Sequence, residues 1–320
     1  MTALARIVAL PARYGRSVLV AGLVAGVALP DLALAMKGWI AELIACLLFI
    51  AALRVGPRQA FGALADIRAS FGLTLLYQVG FPVAAILAFT LLGWSGPLAT
   101  GLVLMMAASS ISGSPNLTIL TGNDPAPALR LLVLGTAMLP LTVIPVFWLA
   151  PDLGDAGAVI GSAARLLVII GAAAGLAFLI RGFVLKHPSP AAIGVIDGLS
   201  AVVMAIVVVG LMSAVGPALR DEPARLLTAL AAAFAGNFGL QLLMVFVLRR
   251  KVPEKIVAPL AIVAGNRNIA LFLTALPVSV TDPLLLFIGC YQVPMYLTPI
   301  LLGRFYRPRP VPVARSEDRP

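Results

Sequence analysis

Ionisable side chains are scarce in this sequence. Asp, Glu, Lys and Arg make up 11% of 320 residues, and the acids number only 13. An ordinary soluble domain is about a quarter charged, so a water-facing surface of the usual kind is excluded. Histidine occurs once, at His187 beside Lys186, which leaves no histidine cluster for a metal. The two cysteines, Cys46 and Cys290, lie inside apolar stretches without CxxC spacing, so no disulfide framework is legible. No GxxxxGK stretch is present to cradle nucleotide phosphates, which disfavours ATP-driven transport by this chain alone. No nucleophile–base pair or metal-ligand set stands out either, so the chain does not read as an enzyme.

What fills the chain instead is apolar. Hydrophobic residues make up 61% of it, and the mean hydropathy is +1.05. Apolar runs of about 20 residues, the length that crosses a bilayer as a helix, recur from end to end. The fold class expected is an all-α polytopic membrane protein. Ten spans are expected, at roughly 14–30, 37–54, 69–92, 97–122, 125–150, 159–181, 194–216, 224–248, 255–276 and 282–303. The Pro- and Arg-rich tail, 304–320, reads as disordered. Arg6, Arg13 and Arg16, an apolar stretch, then "ALA" at 33–35 give the N-terminus the outline of a signal peptide, but the repeat described below needs this segment as a helix.

The net charge of +10 does not point to nucleic acid, because the basic residues sit in short loops between apolar runs. There they act as topology signals and lipid-headgroup contacts. One set of alternate loops, with both termini, carries 18 of the 23 Lys and Arg residues; the other carries Lys37, Arg165, Arg220 and Arg225. Both termini are therefore expected in the cytoplasm, in a multi-pass protein of the inner membrane. Trp39, Trp94 and Trp148 fall near the opposite boundary, where indole rings prefer to sit. No obligate protein partner is inferred.

The remaining basic residue is Arg267, near the middle of an apolar run from 257 to 276. It lies in "AGNRNIALF", 264–272, and "SGSPNLTIL", 112–120, is its counterpart in the fourth span. Gly113-Ser114-Pro115-Asn116 aligns on Gly265-Asn266-Arg267-Asn268 at an offset of 152. GxxxG at Gly22 and Gly26 recurs at Gly171 and Gly175 with an offset of 149. Two matches at nearly one offset suggest two five-span repeats, about 14–150 and 159–303, inverted because five is odd. Gly113, Pro115 and Gly265 are the expected helix breakers. A matched pair of broken helices is the best sequence pointer to a transporter's substrate site. The candidate binding residues are Arg267, Asn266, Asn268, Ser114, Asn116, Thr118 and Asn237. A central arginine costs about 2.5–3.5 kcal/mol or more, so it needs an internal carboxylate, with Glu42 and Asp197 as the candidates, or an anionic solute.

These residues resemble the bile acid:sodium symporter family. The clearest stretch is "LTILTGNDPAPALRLLVLGTAMLPLTVIPV", 117–146, similar to the family's segment from the first crossing helix into the fifth span. "LLYQVGFPVAAILAF" with Gln78 resembles its third span, "AGNFGLQLLMVFVLRR" with Asn237 its eighth, and "APLAIVAGNRNIALFLTALP" its ninth. The resemblance implies a core domain of spans 3–5 and 8–10 and a panel domain of spans 1, 2, 6 and 7. It implies an organic-anion substrate, bile-acid-like or a small carboxylate, moved by alternating access and often with sodium. Gln78, Ser114 and Asn268 match its ion-ligand positions. Its ninth-span glutamate and glutamine, however, fall on Val263 and Arg267. Its fourth-span Ser-Asn pair falls on Ser114-Pro115, and a fifth-span hydroxyl on Leu132. The expectation is that Arg267 is a built-in cation in place of sodium, with coupling to a proton, to an altered sodium site, or to nothing. A non-transporting solute sensor is the alternative from another class.

Overall fold

The computed structural model describes residues 8–11, 14–62, 67–150 and 156–306. Arg6, Arg13, the side chain of Arg16 and the tail beyond Tyr306 lie outside the described residues. Among those described, the chain is helical, and its one extended pairing is a two-residue antiparallel bridge. Seven helices are long and apolar enough to cross a membrane, or eight if one bent pair counts as a span. Leu91, Phe183 and Trp148 stand exposed on the outside, the apolar exterior that a bilayer tolerates and water does not.

Helix α1 (Gly15–Ala28) meets α2 (Pro30–Lys37) at 105°. Leu29 precedes proline and is driven out of the helical region, to φ −119° and ψ 76°. A loop was expected where α2 stands, because the apolar periodicity says nothing about an eight-residue helix. Helix α3 (Ile40–Gly62) runs on past the expected end at 54 and kinks at Gly56, where φ is 71°. A Cβ on Gly56 would lie 2.6 Å from the Arg181 guanidinium. The stretch expected as the third span is continuous over Arg68–Leu91 and long and apolar enough to cross a membrane. It comprises α4 (Ile67–Leu75), a π turn (Leu76–Gly80) and α5 (Phe81–Leu91), and the widened turn lies just ahead of Pro82.

The stretch expected as the fourth span is interrupted. Helix α6 (Pro97–Ala107) stops at an extended Ala108, ψ 156°, and α7 (Ser114–Leu120) begins six residues later. Then come α8 (Ala126–Leu149), α9 (Ala156–Phe183) and α10 (Pro190–Leu211), the last continuing through a 3₁₀ turn into α11 (Val215–Asp221). Helix α12 (Pro223–Leu248) precedes the second broken stretch, α13 (Glu254–Gly265) and a 3₁₀ segment (Ile269–Thr274). Among the described residues three more α-helices follow: α14 (Val278–Thr281), α15 (Leu285–Leu301) and α16 (Gly303–Tyr306).

Helices α1, α3, α9 and α10 form one group, in which α3 lies against α9 and α10, and α1 against α10. In a second group α12 lies against α13 and α15, while α13 also touches α7 and α8. The GxxxG in α1 packs closely: a Cβ on Gly22 would lie 2.8 Å from Ala205 O, and one on Gly26 2.6 Å from Met212 Cβ. Gly171 and Gly175 have nothing within 4 Å, so the second GxxxG makes no such contact. Proline spacing matches more closely, with Pro140 and Pro145 inside α8 and Pro294 and Pro299 inside α15, both pairs 154 residues apart.

Candidate functional site

The two breaks meet. Ser110 and Arg267 form the antiparallel bridge, with Ile111 N donating to Asn266 O at 3.1 Å and Asn268 N donating to Ser109 O at 2.8 Å. Each interrupted segment thus satisfies backbone groups of the other, which unwound chain at membrane depth requires.

The breakers work otherwise than expected. Pro115 opens α7 rather than ending a helix, because a proline in the first turn forfeits an N–H that has no partner there. Neither Gly113 nor Gly265 has a positive φ. Gly265 is needed for proximity instead: a Cβ would lie 2.2 Å from Asn237 O and 2.5 Å from Gln241 Cγ. At Gly113 the nearest atom would be Ile111 Cδ1 at 3.7 Å, an ordinary contact.

Arg267 is 2% exposed. Its Nη2 donates to Met106 O at 2.7 Å, and its Nη1 lies 3.5 Å from Val263 O. Both are last-turn carbonyls, of α6 and α13, so one guanidinium caps the C-termini of two half-helices. Its Cζ stands 5.7 Å from the Tyr77 ring centroid. Its backbone N donates to Tyr291 OH at 3.0 Å, and that hydroxyl donates to Gly265 O. Nε, buried, has no partner.

Neither expected carboxylate reaches it. Asp197 pairs with Arg54 at 2.7 Å, and Glu42 is exposed. Other ion pairs include Lys37–Asp282 and Arg225–Glu222. One strong carbonyl bond, worth about 1.5–3 kcal/mol, and a distant aromatic face offset part of the burial cost, but no opposite full charge does. The C-termini of α6 and α13 and the N-termini of α7 and the 3₁₀ segment converge here. Their partial charges oppose one another, and the guanidinium is the net charge at the crossing.

Around this charge lies an amide and hydroxyl network. Asn237 Nδ2 donates to Gly265 O at 2.7 Å, and Asn266 Nδ2 to Ile262 O at 2.9 Å. Gln241 Nε2 donates to Asn237 Oδ1 at 2.5 Å and to Thr298 Oγ1 at 3.1 Å, while Tyr306 OH donates to Gln241 Oε1 at 2.6 Å. Sequence reading singled out Asn237 but missed Gln241, four residues on and on the same helix face, and Thr298; polar residues in apolar spans were the available signal. It also missed Tyr291, and nothing in a sequence marks the carbonyls of Met106 and Val263.

Two of the three candidate ion ligands, Gln78 and Ser114, have side-chain partners in the protein. Gln78 donates to Gly135 O at 2.9 Å and accepts from Thr142 at 2.8 Å, while Ser114 Oγ is 2.5 Å from Ser110 Oγ. Among the described residues no hydrogen bond joins Gln78 to Ser114 or Asn268. Thr118 is buried and donates to Ser114 O at 2.9 Å, and Asn116 is exposed and lines neither cavity described next.

Two cavities flank the crossing. The first, about 140 Å³, is bounded by α1, α3, α10 and α15, with Arg267, Asn268, Gln292 and Tyr296 in its wall. The second, about 220 Å³, is bounded by α3, α8 and α9, with Ser110, Thr136 and the apolar Leu132 in its wall. Leu48, Ser112 and Asn268 belong to both walls, so the crossing, together with α3, lies between them. No family model matches the chain, and no curated protein matches it in sequence.

Proposed function

We propose that this protein is a secondary transporter of an organic anion, related in plan to the bile acid:sodium symporters. In this reading ten crossings form two inverted repeats, and spans four and nine are the interrupted ones. The α1, α3, α9 and α10 group is the panel, and the remaining long helices are the core. The protein sits in the cytoplasmic membrane with both termini inside. Solute reaches the crossing from either side through the two cavities in turn, by alternating access.

One observation carries the reading. A guanidinium with no carboxylate partner is buried at the meeting point of two broken segments, in the wall of a cavity, with one N–H unbonded. A charge so placed is a functional-site hypothesis by default. The same guanidinium takes the two carbonyls that a hard cation would otherwise coordinate, so transport runs without sodium.

The test is uptake of radiolabelled organic anions into proteoliposomes, in sodium and in potassium salts. Equal flux in both is expected, as is loss of flux in Arg267→Gln with an unchanged gel-filtration profile. Flux that requires sodium would overturn the built-in cation. Normal flux in Arg267→Gln would remove the site. A protein that binds an anion yet moves none would be a sensor instead.

A further inference from the structure

The smaller cavity holds more chemistry than the crossing itself uses. Two residues of its wall each bury a donor without a partner, Arg267 at Nε and Tyr296 at OH. An unmade bond to a buried donor is costly, and a structure keeps such donors where something else supplies the acceptor. Nearby, Asn268 is half-buried and Gln292 Nε2 is already committed to Ile288 O at 3.1 Å. The other walls are apolar, with Leu19, Ile44, Leu47, Met204, Val207 and Leu211 among them. Arg267 is the one charged residue lining the cavity.

Resting on the transporter reading, we infer that this cavity is the solute site and that its solute is a short-chain aliphatic monocarboxylate. Volume sets the size. A dry apolar cavity of about 150 Å³ holds benzene, so the 140 Å³ here takes a solute of roughly four to six carbons. A steroid acid is several times too large. Charge sets the number of carboxylates. One carboxylate meets the guanidinium Nε–H and the Tyr296 hydroxyl, whereas a second, at the far end of the chain, would be buried against leucine and valine without a counter-charge. The aliphatic walls set the body: each methylene of the solute leaves water for apolar contact. Tyr296 is thus a specificity-determining residue, because its hydroxyl is the second donor that a carboxylate, but not a halide, engages in a fixed direction.

The experiment is thermal shift and calorimetry of the purified protein in detergent, in potassium salts, with three probes: pentanoate, glutarate and taurocholate. Pentanoate alone is expected to bind. Tyr296→Phe, which removes a hydroxyl bonded to nothing in the protein, should keep its melting temperature and weaken pentanoate about tenfold or more. Arg267→Gln should abolish binding. Preference for glutarate or taurocholate, lost in Arg267→Gln, would overturn the short-chain assignment and leave the transporter standing. Pentanoate binding indifferent to Tyr296→Phe would overturn the cavity as its site. Binding of none of the three would overturn the proposal, whereas the transporter reading falls only with the flux assay.

Discussion

Adding one carbon at each of the two break glycines distinguishes proximity from backbone freedom. In Gly265→Ala the new Cβ would lie 2.2 Å from Asn237 O, a backbone atom that cannot rotate away. Opening that approach to an ordinary 3.4 Å contact requires α12 and α13 to part by about 1.2 Å. A separation of that size breaks the 2.7 Å bond from Asn237 Nδ2 to Gly265 O. Overpacking costs about 1–3 kcal/mol and the lost bond about 1 more, so about 2–4 kcal/mol is expected. At about 2 °C per kcal/mol for a long chain, melting should fall by about 4–8 °C. In Gly113→Ala the nearest contact is 3.7 Å and φ is −79°, so nothing must move. Its small capping loss and its gain from a stiffer unfolded chain offset to within about 1 kcal/mol. The assay is fluorescence-monitored melting of both variants in one detergent. Equal destabilisation by both, or none by Gly265→Ala, would refute the proximity account and restore the two glycines as equivalent hinges.

Two further outcomes follow from the polar contacts. Gln241→Leu leaves Tyr306 OH and Asn237 Oδ1 short of partners, at about 1–3 kcal/mol each, and melting should fall by several degrees while Arg267-dependent binding weakens. The Lys37–Asp282 pair is 31% and 43% exposed, so a double-mutant cycle on Lys37→Ala and Asp282→Ala should give a coupling of no more than about 1 kcal/mol, smaller still in 0.5 M salt; a larger, salt-insensitive value would count against that ranking.

Much of the site was visible in the chain before it was folded. "SGSPN" and "GNRN" announced two interruptions because polar residues are so rare in the surrounding runs. The facing of α7 was legible too: Ser114 and Thr118 are four apart and share the buried side, which turns Asn116 outward, although it was grouped with them. The bend at Leu29 was readable in principle from Pro30, but its 105° is set by what α2 packs on. Arg267's partners were not readable at all. They are backbone carbonyls of Met106 and Val263, which every residue possesses, and only the crossing selects them. Glycine misled for a related reason, since φ freedom and lack of bulk leave the same letter in a sequence.

The missing carboxylate beside Arg267 also has an electrical consequence. In the transporter proposed above, with the cavity empty, whatever part of the protein moves with Arg267 would carry a full elementary charge through the voltage drop of the membrane. With one monoanion seated, it would carry none. Crossing 100 mV is worth about 2.3 kcal/mol per charge, close to fiftyfold in an equilibrium. A negative cell interior would draw the empty site inward and leave the occupied one indifferent. Outward return of the unoccupied form then becomes the step that voltage retards, and swapping one anion for another avoids it altogether.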